Sequence, residues 1–227
     1  MLENNPQARP IGIGVEKRIF RNELDPNKIR AEFREKLTDE EIKGIYYFNK
    51  LLHLLFPNNI PEIYRAGNLK EGAGSQFEAE YIEPDDLLRE ISKYAVEDED
   101  YLMGNAESRI SSRERERIDS LERIRTSNEF VADLTEQLKA VGVGVDTHNA
   151  GNFKIDSNYN VVFLDLVKPF AVERGVVKLH FNTEKMYRYL ATLEVNDPRY
   201  KLAEVYMTRT LELFAQLETK LKDTKAS

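Results

Sequence analysis

Cysteine is absent from all 227 residues, which removes disulfide staples, zinc-thiolate sites and a thiol nucleophile from consideration. Positive charge is in deficit: 33 Lys and Arg face 40 Asp and Glu, a net charge of −7 with a pI near 5.2. A nucleic-acid partner bound through bulk positive charge is therefore not expected. No stretch approaches the roughly 20 apolar residues of a membrane span. The opening Met1-Leu2-Glu3-Asn4-Asn5-Pro6 has neither the apolar segment of a signal peptide nor the Arg-rich look of a transit peptide. The expectation is a soluble, cytoplasmic protein with no membrane partner; leaderless secretion into a host would leave the same sequence. No internal repeat is visible.

What is present is enough apolar residue, 41% of the chain, for one bilobal domain or two small ones with a sizeable buried core. Residues 1–10 read as a mobile arm. Ile11 to Phe20 reads as strand, glycine turn, strand. Asp25-Pro26-Asn27 turns the chain into Lys28–Phe33, where Ile29, Ala31 and Phe33 alternate with charged residues as in a half-buried strand. Thr38, with Glu41 three positions on, predicts a capping box opening a helix that carries Ile42, Ile45, Leu52 and Leu55 inward until Pro57. Ile63–Ala66 and Phe77–Ile82 follow as strands, joined by a turn from Gly67 to Gly74. A helix from Leu87 to about Tyr94, a polar linker to Ser112 and a long helix from about Arg113 to Ala140 come next, the last with an apolar stripe through Leu134 and Leu138. Two helices close the chain, about Thr183–Glu194 and Pro198–Lys222. The Arg/Glu-rich run Arg113–Arg117 reads as a solvated helix face.

Between the long helix and those two lies the segment Val145-Asp146-Thr147-His148-Asn149-Ala150-Gly151-Asn152-Phe153, followed by Val161-Val162-Phe163-Leu164-Asp165. It sets oxygen ligands on two adjacent loops. Asn152 and Asp165 are thirteen positions apart, room for a strand at Phe153–Ile155, a polar turn and a second strand at Val161–Leu164. This pattern resembles the catalytic core of the protein-kinase-like superfamily, in the Asp-x-His-x-x-Asn dialect of its aminoglycoside-phosphotransferase-like branch. Asp146 and Asn152 are six positions apart where that dialect has five. Either the loop bulges by one residue or the catalytic base has been lost.

The resemblance implies a role for each residue. Asp165, ending an apolar strand where a carboxylate is costly without a cation, would bind metal. Asn152 would add a neutral oxygen suited to Mg²⁺. Asp146 would orient the acceptor hydroxyl and take its proton, with His148 bracing the loop. Gly12 and Gly14 would form the turn over the ATP phosphates, with Lys17 standing where a third glycine belongs. The phosphate-gripping cation of the third strand is represented by Arg30, with Lys28 and Arg34 beside it, and its helix partner by Glu41 or Glu40. Glu80 to Ile82 would be the hinge against adenine. Each has a plainer alternative: a strand-end Asp, an Asn in a tight turn, an ordinary glycine turn, first-turn acids favoured by the helix dipole, or an edge strand at Glu80–Ile82.

The implied fold is α+β and bilobal, a five-stranded small lobe with one helix over residues 1–82 and a minimal helical large lobe over 83–227. The implied activity is ATP- and Mg²⁺-dependent phosphoryl transfer to a hydroxyl. No Ala-Pro-Glu anchor or long activation segment follows Asp165, which points away from regulated eukaryotic-type kinases; the large lobe lacks the helical insertions of a small-molecule pocket, which favours a protein Ser/Thr acceptor slightly over a small molecule. The rivals are a pseudokinase that binds nucleotide or a partner without turnover, and a metal-dependent enzyme of unrelated fold using Asp146, His148 and Asp165.

Overall fold

The computed structural model describes residues 10–13, 17–22, 24–68, 74–82, 131–145, 152–156, 158, 160–193 and 197–226. Residues 1–9 of the expected arm, most of the turn after Gly67, the helix expected at Leu87–Tyr94, the linker and residues 113–130 of the expected long helix lie outside them. The described chain is mixed α/β with small antiparallel sheets.

The alternating apolar pattern of the first eighty residues builds a five-stranded sheet. Its strands are β1 (Gly12–Ile13), β2 (Lys17–Arg21), β3 (Lys28–Phe33), β4 (Ile63–Asn68) and β5 (Ser75–Glu80), in the order β1-β2-β3-β5-β4 and antiparallel throughout. The turn before β3 is closed by the Lys28 amide on the Asp25 carbonyl at 3.0 Å. Because side chains alternate between faces, one face carries Lys17, Ile19, Ile29, Ala31, Phe33, Phe77 and Ala79. Arg30 and Glu32 point to the other, where they pair with each other at 3.0 Å and Arg30 lies over the Phe20 ring.

Helix α1 (Asp39–Leu55) starts at the predicted capping box: the Glu41 amide donates to Thr38 Oγ1 at 3.2 Å and the Thr38 amide to Glu41 Oε2 at 2.8 Å. Such a cap contributes about 1 kcal/mol. The buried stripe outweighs it, since each fully buried large apolar side chain contributes about 1.5–3 kcal/mol and Ile45, Phe48, Leu51 and Leu52 are all below 2% exposed. Ile42 and Ile45 pack on Phe33 and Phe77 under the sheet. Phe48 to Leu55 join a second, larger cluster with Leu134, Leu138, Val161, Phe163, Phe181, Met186 and Met207. One helix thus ties the sheet to the C-terminal half.

In that half, residues 131–140 are the described part of α2. Gly142 ends it in the left-handed region at φ 86°, with the Val143 amide reaching back to the Leu138 carbonyl at 2.8 Å, a Schellman closure that favours glycine there. Strands β6 (Phe153–Ile155) and β7 (Val161–Phe163) form the predicted hairpin. A second hairpin, β8 (Phe170–Glu173) with β9 (Val176–Leu179), was not expected from the sequence. Its two-residue turn puts both Arg174 (φ 51°) and Gly175 (φ 76°) at positive φ, the mark of a primed turn. Helices α3 (Thr183–Leu190) and α4 (Pro198–Ala226) complete the chain, and α4 lies along α1 with Tyr206 beside Tyr47, centroids 6.2 Å apart. Among the described residues no helix is long and apolar enough to cross a membrane.

Candidate functional site

The β6–β7 hairpin approaches the inner face of the large sheet, and between them lies a cavity of about 320 Å³. Its sheet side is apolar: Ile19, Ile29, Ala31, Ile63 and Ala79, continued by Glu80, Tyr81 and Ile82 at the end of β5. The opposite wall comes from Asn152, Lys154, Leu164 and Asp165. The strand register orders the sheet side. Ile29 pairs with Ala79 at one end and Lys17 pairs with Phe33 at the other, four residues or about 13 Å apart along β3. The cavity therefore has a largely apolar end, bordered by Glu80, and an end that carries Lys17.

Asn152 and Asp165 line this one cavity. Their proximity follows from the hairpin: Phe153 pairs with Phe163, and the Leu164 amide donates to the Asn152 carbonyl at 2.7 Å, so the residue entering β6 and those leaving β7 are neighbours. Asp165 accepts from the Leu166 amide at 3.0 Å and forms an ion pair with Lys17 Nζ. That pair crosses from the hairpin to the sheet, and Lys17 is its more buried member, with 19% side-chain exposure against 40% for Asp165. The chain beyond Asp165 is fixed from α1. Asn49 Nδ2 donates to the Val167 carbonyl at 2.8 Å and to the Ile45 carbonyl at 2.8 Å, while Asn49 Oδ1 accepts the Val167 amide at 3.0 Å. Asn49 itself is 1% exposed and lines the cavity.

The remaining expected site residues fall in several places. Glu80 and Ile82 line the cavity. The Glu80 amide donates to the Glu62 carbonyl and the Tyr81 amide to the Asn27 carbonyl, both at 2.8 Å, and β5 lies between β3 and β4 rather than at a sheet edge. Gly12 sits on β1 opposite Ile19. Arg30 faces away from the cavity, as its strand parity dictates. Lys28 pairs with Asp25 at 3.0 Å, and its ammonium lies 4.8 Å from the centre of the Tyr64 ring. The Glu41 carboxylate is engaged in the helix cap. Glu40 takes the Lys220 ammonium of α4 at 2.5 Å, a bond that holds its carboxyl below the ordinary Glu range. Neither Glu40 nor Glu41 lines the cavity. Gly14, Asp146 and His148 lie outside the described residues, among which no three His, Cys, Asp or Glu converge as a metal cluster.

Sequence reasoning missed two residues. Lys17 was visible only as an absent third glycine; its direction depends on the β2–β3 register. Asn49 carried a signal, a polar residue on the Ile42, Ile45, Leu52 stripe of a helix, where a buried amide needs partners.

The oxygen set fits a hard divalent cation, with one carboxylate-bearing and one amide-bearing residue lining a cavity that also holds an ammonium. No protein-family model matches the chain, and no curated protein matches it. Among solved structures it is similar to WbdD, with 13% identity over 91% of this chain and 45% of that one at a TM-score of 0.36. A WbdD co-crystal with the kinase inhibitor LY294002 gives 13% identity, 88% and 44% coverage and a TM-score of 0.35. The chain spans less than half the length of these matches. Likeness at this level assigns no family.

Proposed function

We propose that the chain is a protein-kinase-like phosphotransferase module that takes ATP and Mg²⁺ in this cavity and passes a phosphoryl group to a hydroxyl. The observation that carries this reading is the convergence of Asn152 and Asp165 on one cavity whose far end is apolar. In the proposal the apolar end beside Ile29, Ala79 and Ile82 takes the base, and Glu80 to Ile82 border it. Asp165 and Asn152 hold the metal. When bound, Mg²⁺–ATP supplies the transferable group, and the protein supplies position and charge neutralisation. Asp146 receives the acceptor proton and His148 braces its loop. A protein Ser/Thr is slightly preferred over a small molecule as acceptor.

A second reading, nucleotide binding without turnover, is favoured by Phe33. It occupies the cavity-side position of β3 next to Ala31 and is buried, so the third strand offers no cation there. One experiment separates the two readings. Wild type and Asp165→Ala are incubated with ATP and Mg²⁺, and intact mass and thermal shift are recorded. A mass gain of one phosphate that disappears in the variant supports transfer. Stabilisation by ATP without mass gain supports binding alone. Stabilisation by a transition metal and not by nucleotide overturns both in favour of an unrelated metal enzyme.

A further inference from the structure

Two cations line the cavity among the described residues, Lys17 from β2 and Lys154 from β6. Lys17 pairs across the strands with Phe33, so the two side chains stand on the same face of the sheet. Phe33 is packed with Ile42, Ile45 and Phe77 and brings no charge of its own to that face, and the Lys168 ammonium lies 5.5 Å from its ring centre. Lys17, one strand over and at the same height along the sheet, reaches Asp165. Parity sends Arg30 and Glu32 to the far face. The sheet therefore delivers one positive charge to the charged end of the cavity, and delivers it from β2.

We propose that Lys17 is the phosphate-binding cation of this site, and that it and a divalent metal ion hold Asp165 in turn. This rests on the phosphotransferase reading for the nucleotide, but not for the competition at Asp165. Without nucleotide, the ammonium neutralises the carboxylate. With metal-bound triphosphate in the cavity, Asp165 would give its oxygens to the metal and Lys17 would turn to the phosphate oxygens, whose negative charge would keep both cations compensated. An ammonium on a flexible four-carbon stem suits such a hand-over better than a guanidinium fork. The ion pair also acts as a gate on metal: a bare divalent ion must displace Lys17, whereas one arriving with triphosphate brings Lys17 a new partner.

The test uses the full chain and the variants Lys17→Met, Lys17→Arg, Lys154→Met and Asp165→Asn, each confirmed folded by its thermal melt. Calorimetry measures Mg²⁺–ATP binding, and electron paramagnetic resonance measures Mn²⁺ binding without nucleotide. Lys17→Met is expected to weaken Mg²⁺–ATP about ten- to a hundredfold, as for loss of a charge-assisted hydrogen bond, and to bind bare Mn²⁺ more tightly than wild type. Lys17→Arg should recover part of the nucleotide affinity, and Asp165→Asn should lose Mn²⁺. Unchanged nucleotide affinity in Lys17→Met, or its loss only in Lys154→Met, overturns the phosphate role; unchanged Mn²⁺ affinity in Lys17→Met overturns the competition. Should wild type bind no Mg²⁺–ATP at all, the phosphotransferase reading and the phosphate role fall together, and the Mn²⁺ comparison still decides whether Lys17 guards Asp165. If Lys17→Met does not fold, Lys17→Gln, which keeps a polar side chain and loses the charge, takes its place with the same expected and contrary results.

Discussion

The Asn49 amide serves the cavity without reaching chemistry. It holds both the amide and the carbonyl of Val167, two residues after Asp165, from the interior of α1. Asn49→Ala leaves those two groups without their partner, at about 1–3 kcal/mol each. The expected outcome is a loss of about 2–6 kcal/mol in urea unfolding, with Mg²⁺–ATP affinity also reduced because Asp165 is no longer fixed. A fall in stability with nucleotide affinity intact would assign Asn49 to packing alone. At this scale the sequence was informative where chemistry and chain order coincide: Asn152 and Asp165 were recognisable as a pair by their spacing and do meet on one cavity. It was uninformative where direction depends on strand parity. Arg30, the nearer analogue of a third-strand cation by alternation of charge, points away, while Lys17 points in because β2 pairs Lys17 with Phe33 and not with a neighbour one residue along.

Elements were legible wherever a local signal and tertiary packing agree. β3 and β6 run over the expected residues, and α1 begins at the expected cap. The β8–β9 hairpin escaped notice because Arg174 occupies a positive-φ turn position normally marked by Asn, Asp or Gly. The same hairpin explains an oddity of α1. Gly44 sits in mid-helix, at a cost of about 1 kcal/mol relative to Ala, yet a Cβ there would come within 2.5 Å of Phe170 Cζ on β8. Overpacking of that kind costs about 1–3 kcal/mol and outweighs the propensity gain. Gly44→Ala is therefore expected to lower the thermal midpoint, and Phe170→Leu in the same chain to restore part of it. A stabilised Gly44→Ala protein would mean that the β8 ring does not press on α1.

Across the whole molecule, α1 is the shared strut. Its first half closes the apolar cluster beneath the five-stranded sheet, its second half belongs to the C-terminal core, and α4 runs along its flank. This arrangement holds the β6–β7 hairpin against the sheet and so creates the cavity. It was not readable from the sequence, since the stripe of α1 reports that the helix is buried but not against which partner. In the proposed function metal and nucleotide share that cavity, and crystallography with Mn²⁺ and a non-hydrolysable ATP analogue tests this most directly. The predicted result is an anomalous peak within about 2–2.3 Å of both the Asp165 carboxylate and the Asn152 side-chain oxygen, with the base against Ile29 and Ala79 and the phosphates at Lys17. A metal or nucleotide located elsewhere, with Asp165 still held by Lys17, would contradict it.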